Sequence, residues 1–156
     1  MRRKSKDLII KIKWLENITI KERRQALKSC NEVGENLFTD YDLLPIDEKK
    51  KYRTFFLYKY DMFIGWSIVD LAGHYFGKHY RKADIYINIR PHHRRKKYGT
   101  YLLNYSSRYC SKINKKPHAH PYDKVGYEFY LSNKKNCNLK LLESNYIEFF
   151  NKEGIT

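Results

Sequence analysis

Across ADIYINIRPHHRRKKYGTYLLNYSSRYC (83–110) the apolar period changes from two to 3.6. Ile85, Ile87 and Ile89 alternate with Tyr86 and Asn88, as in a strand with one face on a core. Farther on, Tyr98, Leu102, Tyr105 and Tyr109 recur at helical spacing, with Leu103 and Cys110 beside them. Between the two runs stand Pro91, His92, His93, Arg94, Arg95, Lys96, Lys97 and, just inside the helix, Gly99. The chain must therefore pass from strand to helix through a basic turn. Such a turn aims free backbone N–H groups and the positive end of a helix dipole at whatever lies in front of it. The implied ligand is an anion.

The rest of the chain supplies a frame for that turn. DLIIKIKW (7–14) reads as a first strand. Thr19 with Glu22 forms a capping box for a helix over 18–37, whose Ala26, Leu27, Cys30 and Val33 face a core. Leu44-Pro45-Ile46-Asp47 opens a short second helix with acids in its first turn. RTFFLYKY (53–60) and MFIGWSIVDLAG (62–73) make a tight hairpin about Asp61, and 73–82 is a polar loop. After the central helix (98–112), 116–120 reads as a strand, 123–133 as a helix, and the remainder as one or two strands. The order β-α-α-β-β-β-α-β-α-β(-β) predicts one mixed α/β (α+β) domain over 1–156, with a largely antiparallel sheet flanked by helices.

The 156 residues suffice for one core, and 42% hydrophobic and 16% aromatic content excludes a disordered polycation. The net charge of +15 has two readings: an anionic partner, or a lysine-rich surface set by an AT-rich coding sequence. Cys30, Cys110 and Cys137 are too few and too scattered for a disulfide framework or a cysteine zinc site, which fits a reducing, cytoplasmic location. Lys11 and Lys13 interrupt the apolar run that a signal peptide needs, and no window approaches a membrane span. His92/His93 and His118/His120 bring no third ligand at a familiar spacing, so no metal site is expected.

The central turn resembles that of the GNAT superfamily of acetyl-CoA-dependent N-acetyltransferases. The family's P-x-x-[RQ]-x-x-G-x-[GA]-x-x-L is matched by Pro91, Arg94, Gly99 and Leu102, with Lys97 where the first glycine is usual. A second family pattern, N-x-x-A-x-x-[LF]-Y, is met by Asp123, Gly126, Phe129 and Tyr130. The likeness implies acetyl-CoA bound at Ile87, Ile89, Arg94, Arg95, Lys96, Lys97, Tyr98, Gly99, Thr100 and Asp123. Independently, a glycine there lets backbone approach a phosphate closely, and the cationic side chains add charge for the outer phosphate. If the backbone at Lys97 has positive φ, a lysine there carries a strain of about 1 kcal/mol or somewhat more.

For chemistry, the resemblance implies Tyr130 as the acid for the leaving thiolate and Asp84, at the start of the central strand, as the base. His120 and His118, two apart on one strand face, compete for the second role. The expected activity moves an acetyl group from acetyl-CoA to an amine on a protein, an aminoacyl-tRNA or a nucleic-acid-associated substrate. The alternatives are a nucleic-acid-binding module or an inactive relative, and the expected partners extend to acidic proteins and a second copy of the chain.

Overall fold

Strand β1 (Leu8–Trp14) lies at one edge of a six-stranded sheet in the computed structural model, which describes residues 7–34, 37–73, 81–121 and 123–141. Beyond it come β2 (Tyr52–Lys59), β3 (Met62–Asp70), β4 (Lys82–Ile89), β5 (Lys116–Ala119) and β6 (Lys140–Leu141), in sequence order across the sheet. β1 to β4 pair antiparallel, while β4–β5 and β5–β6 pair parallel. The helices are α1 (Ile20–Val33), α2 (Leu37–Asp42), α3 (Ile46–Lys49), α4 (Tyr98–Lys112) and α5 (Lys124–Asn133). The mixed α/β class and the mostly antiparallel sheet are those the sequence predicts. Most of the 73–82 loop and any strand after Leu141 lie outside the described residues.

Local chemistry explains the element ends. Thr19 Oγ1 accepts from the Glu22 N–H while Glu22 accepts from the Thr19 N–H, a complete capping box at the start of α1. Gly34, at φ 71°, closes α1 in the left-handed conformation, so the helix stops short of 37. Leu37–Asp42 then forms a separate helix that the sequence periodicity did not isolate, because it buries only Phe38 and Tyr41. Tyr60 supports the β2–β3 turn at φ 54°, and the pairing slips by one residue at Leu57/Tyr58.

Helices cover both faces of the sheet. On one, Ile85 and Ile89 of β4 join Phe55, Leu57, Ile64 and Val69 against Leu102, Leu103 and Cys110 of α4. On the other, Tyr86 joins Phe56, Trp66 and Ile68 against Ala26 and Cys30 of α1 and Phe38 and Tyr41 of α2. Buried polar pairs lock each layer to the sheet: Ser67 with Ser106 on the α4 side, and Ser29 with Asn88 on the α1 side. Tyr105 departs from the expected apolar stripe of α4. The inward face is Leu102, Leu103, Ser106 and Cys110, and Tyr105 is left 38% exposed.

Gly65 sits where β3 resumes pairing after the slip, opposite Ile89. A Cβ there would lie 2.4 Å from the Asn88 carbonyl oxygen and 2.8 Å from Ile89 Cδ1. The absence of a side chain thus lets β3 approach the end of β4. Gly65→Ala is expected to destabilise the fold by about 1–3 kcal/mol through this overlap. Gly34→Ala, with no atom within 4 Å of the added carbon, should cost only its left-handed strain of about 1 kcal/mol. Urea denaturation of the two variants checks the order.

Candidate active site at the open edge of β4

β4 loses one of its two neighbours halfway along. Its pairing with β5 ends at Ile85–Ala119, whereas its pairing with β3 continues to Ile89. The Arg90 N–H donates to the Ile64 carbonyl at 3.0 Å, on the β3 side. By the alternation of an antiparallel ladder, the N–H and C=O groups of Ile87 and Ile89 point the other way. There, among the described residues, no strand meets them.

The basic turn follows directly. Pro91–His93 form a short 3₁₀ turn, Arg94 is extended, and α4 begins after Lys97. Two contacts fix the turn. Arg94 Nε donates to the Ile89 carbonyl at 2.9 Å, which consumes one outward acceptor of β4. Arg90 donates to Glu32 of α1 through Nε at 2.9 Å and Nη2 at 3.4 Å, and this bond holds the Glu32 carboxyl below its usual range. His92 lies exposed near Glu32, while His93 is buried against Tyr98, and burial pushes its pKa down.

The N-terminus of α4 differs from those of α1 and α5. Thr19 and Asp123 cap those helices with side-chain oxygens, but Lys97 at the start of α4 supplies no such bond. Among the described residues, the N–H groups of the first turn (Tyr98, Gly99 and Thr100) therefore have no side-chain cap. Arg95 and Lys97 stand at φ 60° and 67°, so a lysine does occupy a left-handed position here. Each costs about 1–2 kcal/mol relative to an ordinary conformation. The side chains of Arg94, Arg95, Lys96 and Lys97 are all exposed. Together the turn offers uncapped donors, a helix dipole and four cations to an anion.

Gly99 serves a purpose that sequence reasoning missed. A Cβ at Gly99 would lie 3.1 Å from the Phe129 ring and 3.6 Å from Ile89 Cγ1. The space left by its hydrogen is taken by α5, so Gly99 admits a helix as well as exposing its N–H. Asp123 accepts from the Gly126 N–H at 2.6 Å and starts α5, which carries Phe129 and Tyr130. Tyr130 is buried in the α4-side core, its ring 5.2 Å from that of Phe129.

The expected bases turn out to be partners. Asp84 Oδ1 and His120 Nε2 are 2.7 Å apart, with Asp84 1% and His120 4% exposed. The His120 ring stacks on Tyr86 at 6.1 Å, and Lys82 Nζ lies 3.9 Å from Asp84. His118 is paired in register with Asp84, and its buried Nδ1 has no hydrogen-bond partner among the described residues. Tyr130 belongs to the opposite layer of the sheet, so the Asp84–His120 pair and Tyr130 lie on its two faces. Asp70, which the sequence reading passed over, is the cross-strand partner of Asp84 and equally buried. It accepts from Tyr41 Oη at 3.2 Å and from the Ala72 and Gly73 N–H groups at 2.8 Å, an Asx turn readable from Asp-Leu-Ala-Gly at a strand end. Among the described residues no three His, Cys, Asp or Glu side chains converge as metal ligands, and no helix is long and apolar enough to cross a membrane.

No protein-family model matches the sequence, and no curated protein matches it. Solved structures do match its fold. An aminoglycoside acetyltransferase, meta-AAC0020, from an uncultured soil metagenomic sample and in complex with sisomicin, superposes with a TM-score of 0.58 at 13% identity, covering 90% of this chain and 93% of that one. Campylobacter jejuni N-acetyltransferase PseH in complex with acetyl coenzyme A gives 0.55 at 13% identity over 82% and 86%. PaiA N-acetyltransferase of Thermoplasma acidophilum in complex with coenzyme A gives 0.56 at 16% identity over 80% and 88%. The architecture is that of the GNAT acetyltransferases.

Burial pushes the His118 pKa from 6.5 down to about 4, against the opposing pull of Asp84. Between those values the unfolded chain binds more protons than the folded one, so stability falls as pH is lowered through that window. His118→Gln removes this contribution. Thermal midpoints measured from pH 7 to pH 4 should fall less steeply for the variant than for the parent.

Proposed function

We propose that the protein is an acetyl-CoA-dependent N-acetyltransferase that takes its coenzyme at the open edge of β4. The carrying observation is the junction of that edge with an uncapped, four-cation helix N-terminus. Coenzyme A is a thin amide-bearing chain ending in a pyrophosphate and a further phosphate, and the two halves of this surface suit its two halves. Ile87 and Ile89 would hold the chain through their outward backbone groups, as an added strand is held. The Tyr98, Gly99 and Thr100 N–H groups would hold the pyrophosphate, with Arg95, Lys96 and Lys97 supplying charge. Arg94 shapes the turn through Ile89 and keeps its outer nitrogens toward solvent. Asp123 contributes by setting the start of α5.

When bound, acetyl-CoA supplies an activated acyl group. The hydrogen bond to Asp84 supports a role for His120 as the group that takes a proton from an acceptor amine. On this reading the Tyr130 hydroxyl, from the other layer, gives one to the departing thiolate. The acceptor class this reading favours is an amine carried on a macromolecule, a protein or an aminoacyl-tRNA. The outer turn is cationic and would repel free polyamines.

Acetyl-CoA should raise the thermal midpoint. At a hundredfold excess over its Kd the stabilisation is about 2.7 kcal/mol, which for a chain of this size is roughly 5–10 °C. No rise at millimolar acetyl-CoA overturns the assignment.

Tyr130→Phe keeps the buried ring and removes one hydroxyl. With coenzyme binding intact, turnover of acetyl-CoA with a panel of amines, peptides and charged tRNA should fall by about 10²–10⁴-fold. A variant as fast as the parent would take Tyr130 out of the proton transfer.

A further inference from the structure

From Asp84 to Asp123 the sequence contains no intervening carboxylate, yet it carries nine lysines and arginines. Four of these belong to the turn before α4; the helix distributes others along its outer face. With about 100° per residue, Lys97, Tyr101, Tyr105, Arg108 and Lys112, spaced four, four, three and four apart, fall on one stripe. The opposite side of α4 carries the buried Leu102, Leu103, Ser106 and Cys110, so the stripe faces away from the sheet. Arg108 and Lys112 are exposed and make no ion pair among the described residues. By contrast, Arg23, Lys49, Lys50, Lys51 and Arg90 on the other side of the molecule all have carboxylate partners. In the middle of the stripe the Tyr101 and Tyr105 rings lie 5.1 Å apart, tilted by 50°, and Tyr105 remains 38% exposed.

Tyr101 is half-buried against the α4-side core, but Tyr105 stands exposed beside it, and neither a solvated helix face nor a general cationic field needs an exposed aromatic ring between cations. The geometry points to the outer face of α4 as a docking surface for single-stranded nucleic acid, with phosphates on Arg108 and Lys112 and a base against Tyr105. Unpaired cations supply the sequence-independent attraction to phosphates, and an exposed aromatic ring between them supplies a stacking platform. A lipid surface shares the negative charge but gains no stacking from the ring, so the tyrosine distinguishes the two. An acidic protein is separated in the same way. The proposal stands apart from the acetyltransferase reading, because Tyr105, Arg108 and Lys112 are not among the residues assigned to coenzyme or proton transfer.

The test is fluorescence anisotropy of the full chain with a short labelled oligouridine, titrated at several salt concentrations, with anionic phosphatidylserine vesicles as the competing probe. Binding should weaken steadily as salt rises. Arg108→Glu combined with Lys112→Glu should weaken it about tenfold or more, whereas Lys50→Glu with Lys51→Glu, the same change in net charge elsewhere, should have a much smaller effect. Tyr105→Ala should lose about tenfold, and Tyr105→Phe should retain the parent's affinity. These side chains are exposed, and unchanged thermal midpoints and far-ultraviolet circular dichroism confirm that the variants fold. Absence of oligouridine binding overturns the proposal. So do equal losses from the two charge reversals, indifference to Tyr105→Ala, or vesicle binding that outcompetes the oligonucleotide.

Discussion

Half of β4 has a strand on only one side, and the arrangement of the candidate site follows from that single withdrawal. An unpaired strand edge carries backbone groups that must be hydrated or bonded, and proteins usually shorten, charge or cover such edges. Here the edge runs from Tyr86 to Ile89 in the middle of the sheet, between two covered faces. The Arg94 guanidinium satisfies one of its acceptors, at Ile89. Among the described residues, no strand meets the remaining groups, and the helix N-terminus beside them has no side-chain cap from Lys97. A ligand with both amide and phosphate groups would satisfy the two together.

Holding that edge open requires a rigid surround. Gly65 allows β3 to lie against Asn88 closely enough that an added carbon would overlap its carbonyl. Glu32 reaches from α1 to clamp Arg90, and Asn88 bonds Ser29 of the same helix. The left-handed residues Arg95 and Lys97 store a few kcal/mol between them, a strain that persists only because both ends of the turn are fixed. On the far side, Gly99 lets Phe129 seat against the first turn of α4. The turn is shaped by contacts from α1, β4 and α5 at once.

The polar groups on the two faces of β4 differ in kind. The α1 side holds buried carboxylates at Asp70 and Asp84 with His120 hydrogen-bonded to the latter. The α4 side holds no buried carboxylate among the described residues; its polar groups include the hydroxyls of Ser67 and Ser106 under α4 and of Tyr130 in α5. This separation puts the Asp84–His120 pair and Tyr130 on opposite faces of the sheet.

Much of this was legible in one dimension. The change of period between Ile89 and Tyr98, the Thr19–Glu22 box, the β2–β3 hairpin and the order of elements follow from spacing that depends only on neighbours along the chain. So does the basic turn, and with it the expectation of an anion. The sequence reading ended its first helix at Leu37 and assigned no element to the rest of α2, and it set Tyr105 in the apolar stripe of α4, because a tyrosine's apolar ring matches the helical period whichever way it faces. Only the tertiary structure decided that Asp84 and His120, 36 residues apart, share a hydrogen bond. Likewise, only packing showed that Gly99 makes room for Phe129, that Gly65 makes room for Asn88, and that Glu32 anchors Arg90. Each of those contacts depends on the register of β3, β4 and β5 and on the helices laid across them, a relation between distant segments that no local period encodes.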